Sequence, residues 1–125
     1  MTDNNNVIFA YTRTQALADG VLVEAGRYAP PPWGGGSVAF TRAAWEDAIV
    51  REGRVDMHSE GGRVWDVLCW LTAAVVTHSA PGAECVFTAS RPSDPSGRGT
   101  MRLKAVVGRD DAGKRCLTVM LPHED

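Results

Sequence analysis

Three histidines and three cysteines are the side chains in this sequence that most readily bind metal ions or act as nucleophiles and bases. Zinc sites and nucleophile–base pairs need such residues close together. Here the six are widely spaced, at His58, Cys69, His78, Cys85, Cys116 and His123. Convergence of two cysteines and a histidine in space is an alternative, but buried cysteine more often acts as a small hydrophobe. We therefore predict free thiols, with no metal site and no cofactor.

Three further sets of polar residues have side chains of the types found in active sites. Cys69 and His78 lie on one predicted helix, but about 13 Å of helical rise would separate them, which excludes a local thiol–imidazole pair. His58 and Glu60 lie in MHSEGG, where a solvated glycine-rich loop is the favoured interpretation. Asp66 is expected in the first turn of an apolar helix, where the helix dipole stabilises a carboxylate and Arg63 can pair with it. No catalytic residue is predicted.

Tyr11, Arg13 and Asp19 are the polar candidates in the opening segment FAYTRTQALADGVLVE, residues 9–24. We consider them as contacts for a partner or as part of a polar site. The alternative interpretation is a tethered tyrosine and a solvated helix face, and short motif matches favour that alternative.

The same segment also contains signals for local structure. Thr12 and Gln15 have the spacing of a capping box, which predicts a helix over residues 13–19. Gly20 is expected to end that helix in the left-handed conformation. Residues 21–23 are then predicted as a buried strand.

Tyr28 and Trp33 are the aromatic candidates for partner binding. They lie in YAPPPWGGGS, residues 28–37, whose prolines and glycines predict an exposed loop. Exposed aromatic residues on such loops are typical anchors at protein interfaces. The alternative is that Trp33 folds back over the core.

Two helices and several strands must position these candidates. Thr41 is predicted to cap a helix from Arg42 to about Glu52, ended by Gly53, and residues 54–62 are predicted as a loop. A longer helix is expected from Arg63 to about Ser79. Its predicted apolar arc comprises Val64, Trp65, Val67, Leu68, Trp70, Leu71 and Val75.

The C-terminal third changes to the alternating pattern of β-strands. Strands are predicted over residues 84–90, 101–107 and 116–121, joined by a loop at 91–100 and a turn at 110–114. Met101, Leu103, Ala105 and Val107 share one face. The sequence thus predicts a small single α+β domain over residues 1–125: an antiparallel meander packed against a long central helix, with a short N-terminal helix–strand unit.

The charge distribution argues against two functional classes. The net charge is −2 over 125 residues, with −3 in residues 1–62 and +1 in residues 63–125. A DNA mimic needs dense surface carboxylates, and a non-specific DNA binder needs a sustained basic face. Neither half of this sequence has so strong a charge, which argues against both classes. Residues 91–115 have seven cationic and three acidic side chains, so nucleic-acid binding by this hairpin is kept as an alternative. The absence of an aromatic residue for base stacking between Arg98 and Arg115 argues against it.

Localisation follows from the apolar runs and the termini. The run at residues 64–76 is interrupted by Asp66 and is too short to span a bilayer. Residues 1–6, MTDNNN, lack the features of a secretory signal and are expected to be a disordered tail. We therefore expect a cytoplasmic protein without a membrane segment.

Four segments together resemble a known family: FAYTRTQALADGVLVE, SVAFTRAAW, GGRVWDVL and LTVMLPHED. They are similar to an uncharacterised family of small bacterial and phage proteins, a domain of unknown function often carried on plasmids and phages. The resemblance implies a mobile-element accessory protein and no reaction. Such proteins often bind host machinery, so a non-enzymatic inhibitor or modulator of a host complex is expected, for example of a CRISPR effector. The alternative is a small enzyme, loosely similar to ADP-ribosyltransferases, whose site lies where residues 11–19 meet the Asp66 helix.

Overall fold

The computed structural model describes residues 12–30, 33, 37–55, 59–78 and 84–124. The predicted tail at residues 1–6, and Tyr11 and His58, lie outside the described residues. The fold is α+β, as predicted, with one mixed sheet of five strands in the order β1–β2–β5–β4–β3. The strands are β1 (Leu22–Glu24), β2 (Ser37–Thr41), β3 (Glu84–Ser90), β4 (Thr100–Arg109) and β5 (Arg115–Met120).

The N-terminal unit begins with the predicted helix. Thr12 caps helix α1 (Arg13–Ala18), and Thr12 and Gln15 form both bonds of the capping box. Gly20 has a φ of +78°, so it takes the left-handed conformation after the helix. The strand that follows begins one residue later than expected. The prediction that this strand is buried was wrong, because Leu22 and Val23 are half-buried and Glu24 is exposed. Val21 lies before the strand and is 48% exposed.

The sheet joins the N-terminal unit to the C-terminal meander. β3, β4 and β5 form the predicted antiparallel meander, and β1 pairs antiparallel with β2. The parallel pairing of β2 with β5 links the two parts. The turn between β4 and β5 places Gly113 at a φ of +83°, which only glycine adopts without strain.

The second helical segment continues past its predicted end. Thr41 caps α2 (Arg42–Ala44), as expected. A seven-residue π helix, Trp45–Arg51, and then α3 (Glu52–Val55) continue it. The prediction that Gly53 ends the helix was therefore wrong, as was the assignment of residues 54 and 55 to a loop. Gly53 is buried within the segment, so packing overrides its low helix propensity.

Helix α4 (Glu60–His78) covers one face of the sheet. It begins three residues before its predicted start, so residues 60–62 are helical and Asp66 lies in the second turn rather than the first. Its inward side packs against strand residues of the meander and of β2 in one apolar core. The main contributors are Val64, Val67, Leu68, Leu71, Phe40, Phe87, Leu103 and Val119.

Candidate protein-binding surface

The solvent-facing half of α4 is the part of the molecule where the sequence interpretation fails most clearly. Trp65, Trp70 and Val75 were expected in the buried arc, but they are 50%, 44% and 38% exposed. A soluble helix normally has a polar outer side, and one that is apolar on both sides normally has a partner on each. Two half-exposed tryptophans on one helix therefore make this side of α4 the candidate binding surface.

Three aromatic residues follow one flank of α4. Gly61, Trp65 and Thr72 are separated by four and seven positions, so they point the same way within about 40°. Tyr28 packs at the first of these positions, since a methyl group on Gly61 would lie 2.5 Å from the Tyr28 Cδ1 atom. Trp33 reaches the last position. We call Tyr28, Trp65 and Trp33 the aromatic flank, which extends for about 16 Å along the helix.

Trp33 adopts the second of the two predicted alternatives and folds back over the core. Its indole Nε1 donates a 2.9 Å hydrogen bond to the Thr72 hydroxyl, which donates in turn to the Leu68 carbonyl. The ring is half-buried against the core. Tyr28 is 37% exposed, and the Arg27 guanidinium lies 5.5 Å from its ring centroid. Trp33 is thus held in place, while Tyr28 and Trp65 offer more accessible surface.

Arg13 ties α1 to the sheet. All three guanidinium nitrogens donate: Nε to the Ser37 hydroxyl at 3.1 Å, Nη1 to the Thr118 hydroxyl at 2.6 Å and Nη2 to the Leu117 carbonyl at 2.8 Å. The half-buried side chain therefore spans the β2–β5 junction. These hydrogen bonds give Arg13 a structural role. The guanidinium therefore does not lie on a solvated helix face, which was one interpretation of the sequence.

Asp111 stabilises the start of α1 from the β4–β5 turn. Its carboxylate accepts from the Arg13 amide at 3.2 Å and the Thr14 amide at 3.0 Å, and also from the Thr14 hydroxyl. The Thr14 hydroxyl has the largest effect in lowering the pKa of Asp111, and the two amides add to it. Charge-assisted bonds to the ionised form account for the direction.

Among the described residues, the structure does not bring α1 and Asp66 together as the enzyme alternative requires, and Tyr11 lies outside those residues. Arg13 contacts Ser37 and Thr118 on one face of the sheet, whereas α4, which contains Asp66, packs on the opposite face with Phe40 and Val119. Asp19 is the exposed C-cap of α1. Residues 13–19 and the Asp66 helix are therefore separated by the sheet, contrary to the expectation that they meet.

A buried ionic network joins the π helix, α3 and the loop after β3. Glu52 is fully buried, and it accepts from Arg91 Nη1 at 2.9 Å and from the Ser93 amide and hydroxyl, each at 2.8 Å. Arg91 also reaches Asp47 at 3.4 Å. π-Helical segments often occur at functional sites. Here the carboxylate and guanidinium satisfy each other, so the network holds the loop in place.

A buried arginine, Arg63, joins α4 to its neighbours. Arg63 is fully buried and pairs with Asp66 at 2.9 Å, as the sequence predicted. Its Nε donates to the Ala48 carbonyl and its Nη2 to the Ser90 carbonyl, each at 2.8 Å. It thereby links α4 to the π helix and to the end of β3.

Internal contacts reduce the positive charge of the 91–115 hairpin. Arg91 is engaged by Glu52 and Asp47. Lys104 is buried and donates to the Glu124 carbonyl. The exposed cations of the segment are Arg98, Arg102, Arg109, Lys114 and Arg115.

The comparison with known proteins adds no identity. No family model, no curated protein and no solved structure matches this chain. Cys69, Cys85 and Cys116 are free thiols, as predicted. Within the described ranges, no group of three or more histidine, cysteine or acidic residues is placed to hold a metal ion. Nor does that part of the chain contain a helix long and apolar enough to cross a membrane.

Proposed function

We propose that this chain is a non-enzymatic accessory protein of a mobile genetic element that binds a host protein complex and inhibits or modulates it. The aromatic flank of α4 is its contact surface. A CRISPR effector or another defence complex is the partner class, because the family that the sequence resembles is found on plasmids and phages. The proposal places the protein in the cytoplasm, where such complexes act.

The observation that supports the proposal is the alignment of Tyr28, Trp65 and Trp33 along one helix flank. Tyrosine and tryptophan are enriched among the few residues that provide most of the binding energy at interfaces. Trp65 is 50% exposed. The hydrogen bond from the Trp33 indole to the Thr72 hydroxyl holds the Trp33 ring against α4. A rigid aromatic surface loses little conformational entropy when it binds.

The position of Arg13 supports a binder over an enzyme. A substrate pocket on α1 would need that guanidinium, but its three nitrogens are already bonded to the sheet. In the aromatic flank, by contrast, apolar area faces solvent on a helix that is fixed by its other side to the core.

The test mixes purified protein with candidate bacterial defence complexes and follows complex formation by size-exclusion chromatography and interferometry. Trp65→Glu and Tyr28→Ala are the test variants, and Arg115→Glu on the exposed hairpin is the control. Loss of a hot spot costs about 2 kcal/mol or more, so we expect affinity to fall about 30-fold or more in the Trp65 variant.

Two outcomes would overturn the proposal. One is a complex that tolerates both flank substitutions. The other is the lack of any complex together with a Trp65→Glu variant that acts in the host as wild type. Loss of binding in Arg115→Glu alone would instead favour nucleic acid, with an affinity that falls steeply with salt.

A further inference from the structure

Among the strands that the structure describes, β3 forms one edge of the sheet, and its own sequence has few of the features that usually protect an edge. Among the described strands it pairs with β4 only, in a regular register from Glu84↔Val106 to Ser90↔Thr100. Its sequence, ECVFTAS, has no proline, lysine or arginine, and the opposite edge, β1, is only three residues long. Natural edges are usually short, charged, bulged or covered. Within the described part of the chain, the outer side of β3 from Glu84 to Ala89 therefore has no strand beside it, while the Ser90 carbonyl accepts from Arg63.

The second flank of α4 lies beside this edge. Arg63 donates to the Ser90 carbonyl at 2.8 Å, and the Ser90 hydroxyl donates to Asp66 at 3.4 Å. Trp70 is seven positions after Arg63, so it points in the same direction within about 20°. Trp70 is 44% exposed. Trp70 and the Ser90 end of β3 thus lie on one flank of α4, about 140° around the helix from Trp65.

We propose that a second copy of this chain covers this side. The two β3 strands pair antiparallel about a two-fold axis, and Trp70 of each copy packs against α4 of the other. Identical strands are complementary in this arrangement because each N–H can face a C=O.

The charge pattern of β3 suits this pairing. In a register centred on Phe87, Glu84 of one copy lies opposite Ser90 of the second copy. The two Glu84 carboxylates are then about 20 Å apart, which is beyond the screening length in physiological salt. No other aspartate, glutamate, lysine, arginine or histidine occurs within ECVFTAS, so pairing brings no like-charged side chains of these types together on the strands.

The small area of the proposed contact limits the affinity of the dimer. Seven strand residues span about 23 Å, and a sheet layer and a helix layer are each about 10 Å thick. The footprint is therefore about 460 Å² per copy and about 900 Å² in total, below the standard interface of about 1,600 Å². We expect a weak dimer that forms in the micromolar range or above, independent of the proposed host partner.

The test is sedimentation of the purified chain from about 1 μM to about 1 mM, the range in which such a Kd becomes visible. We expect the average mass to rise from monomer to dimer. Trp70→Glu should weaken association at least tenfold, whereas Trp65→Glu, on the other flank, should leave it unchanged. Hydrogen exchange of residues 84–90 should slow as the concentration rises.

Thr88→Glu provides a second variant if Trp70→Glu does not fold. Thr88 lies opposite Arg102 on β4, so a carboxylate there suits the monomer, but it puts two carboxylates near the two-fold axis. Circular dichroism verifies folding of each variant. A protein that stays monomeric over the whole range, or a dimer that survives both substitutions or is lost equally in Trp65→Glu, would overturn the proposal. Neither result bears on host binding, which Trp65 tests.

Discussion

Glu52→Gln should strongly destabilise this fold, because it changes the charge but not the shape of a fully buried carboxylate. Glu52 accepts three hydrogen bonds of 2.8–2.9 Å, one from Arg91 and two from Ser93. An amide can keep its oxygen towards the Ser93 amide, and the Ser93 hydroxyl can rotate to accept. The Arg91 guanidinium has only donor groups, so in the variant it faces the NH₂ group of the glutamine and cannot form a hydrogen bond with it.

The magnitude follows mainly from the mismatched Arg91 contact, because the other cation near the carboxylate, Arg51, is 4.0 Å away and more than half exposed. A charge-assisted hydrogen bond contributes about 1.5–3 kcal/mol, and leaving one charge of a buried pair without its partner costs about 3–5 kcal/mol. The cost is lower here because Arg91 keeps its contact with Asp47 at 3.4 Å. Its side chain is also 25% exposed and can turn partly to water. We therefore expect the free energy of unfolding to fall by about 2–3 kcal/mol.

Urea denaturation followed by circular dichroism measures this change. Glu46→Gln is the matched control, because Glu46 pairs with Arg42 at 3.3 Å while both side chains are more than half exposed. An exposed pair of this kind contributes about 0.5 kcal/mol or less. A double-mutant cycle with Arg91→Ala should give a coupling of about 1 kcal/mol or more. A Glu52→Gln variant as stable as the Glu46→Gln control would refute the buried network.

Three further predictions concern local contacts. Thr72→Val removes the acceptor of the Trp33 indole and should cost about 1–2 kcal/mol in urea denaturation; an unchanged midpoint would mean that Trp33 does not rest on α4. Asp111→Asn should destabilise α1 at neutral pH. Because the pKa of Asp111 is lowered in the folded state, the stability that this carboxylate adds is fully present above the ordinary carboxyl pKa and is lost as the pH falls through the folded-state pKa. The unfolding free energies of wild type and variant should therefore converge under acidic conditions. A constant difference down to low pH would contradict this. Gly20→Ala should lower the free energy of unfolding by about 1 kcal/mol or more, because Gly20 has a positive φ. The control is Gly108→Ala, whose added methyl meets no atom within 4 Å and should change the melting temperature little. Equal effects of the two substitutions would be inconsistent with a left-handed Gly20.

The parts of the fold that depend on neighbouring residues were predictable from the sequence. The capping box of Thr12 and Gln15, the Thr41 cap and the left-handed Gly20 each involve residues a few positions apart. The alternating pattern likewise placed β4 and β5 within a few residues. Period and turn chemistry are sufficient for such elements.

The features that were missed depend on contacts distant in sequence. Gly53 reads as a helix end, but burial of the neighbouring Glu52 against Arg91, 39 positions away, keeps the segment helical. Trp65 and Trp70 cannot be distinguished from core residues by periodicity, because α4 is apolar on its inner and outer sides. The Trp33 bond to Thr72 also spans 39 positions. Tertiary packing therefore decided which aromatic residues face solvent.

The central claim is that the aromatic flank binds a host protein. Affinity capture from the native host tests it most directly, with wild type, Trp65→Glu and Arg115→Glu as parallel baits and mass spectrometry to identify what each retains. We predict one host complex retained by wild type and by Arg115→Glu and absent with Trp65→Glu. The same set of proteins on all three baits would contradict the account.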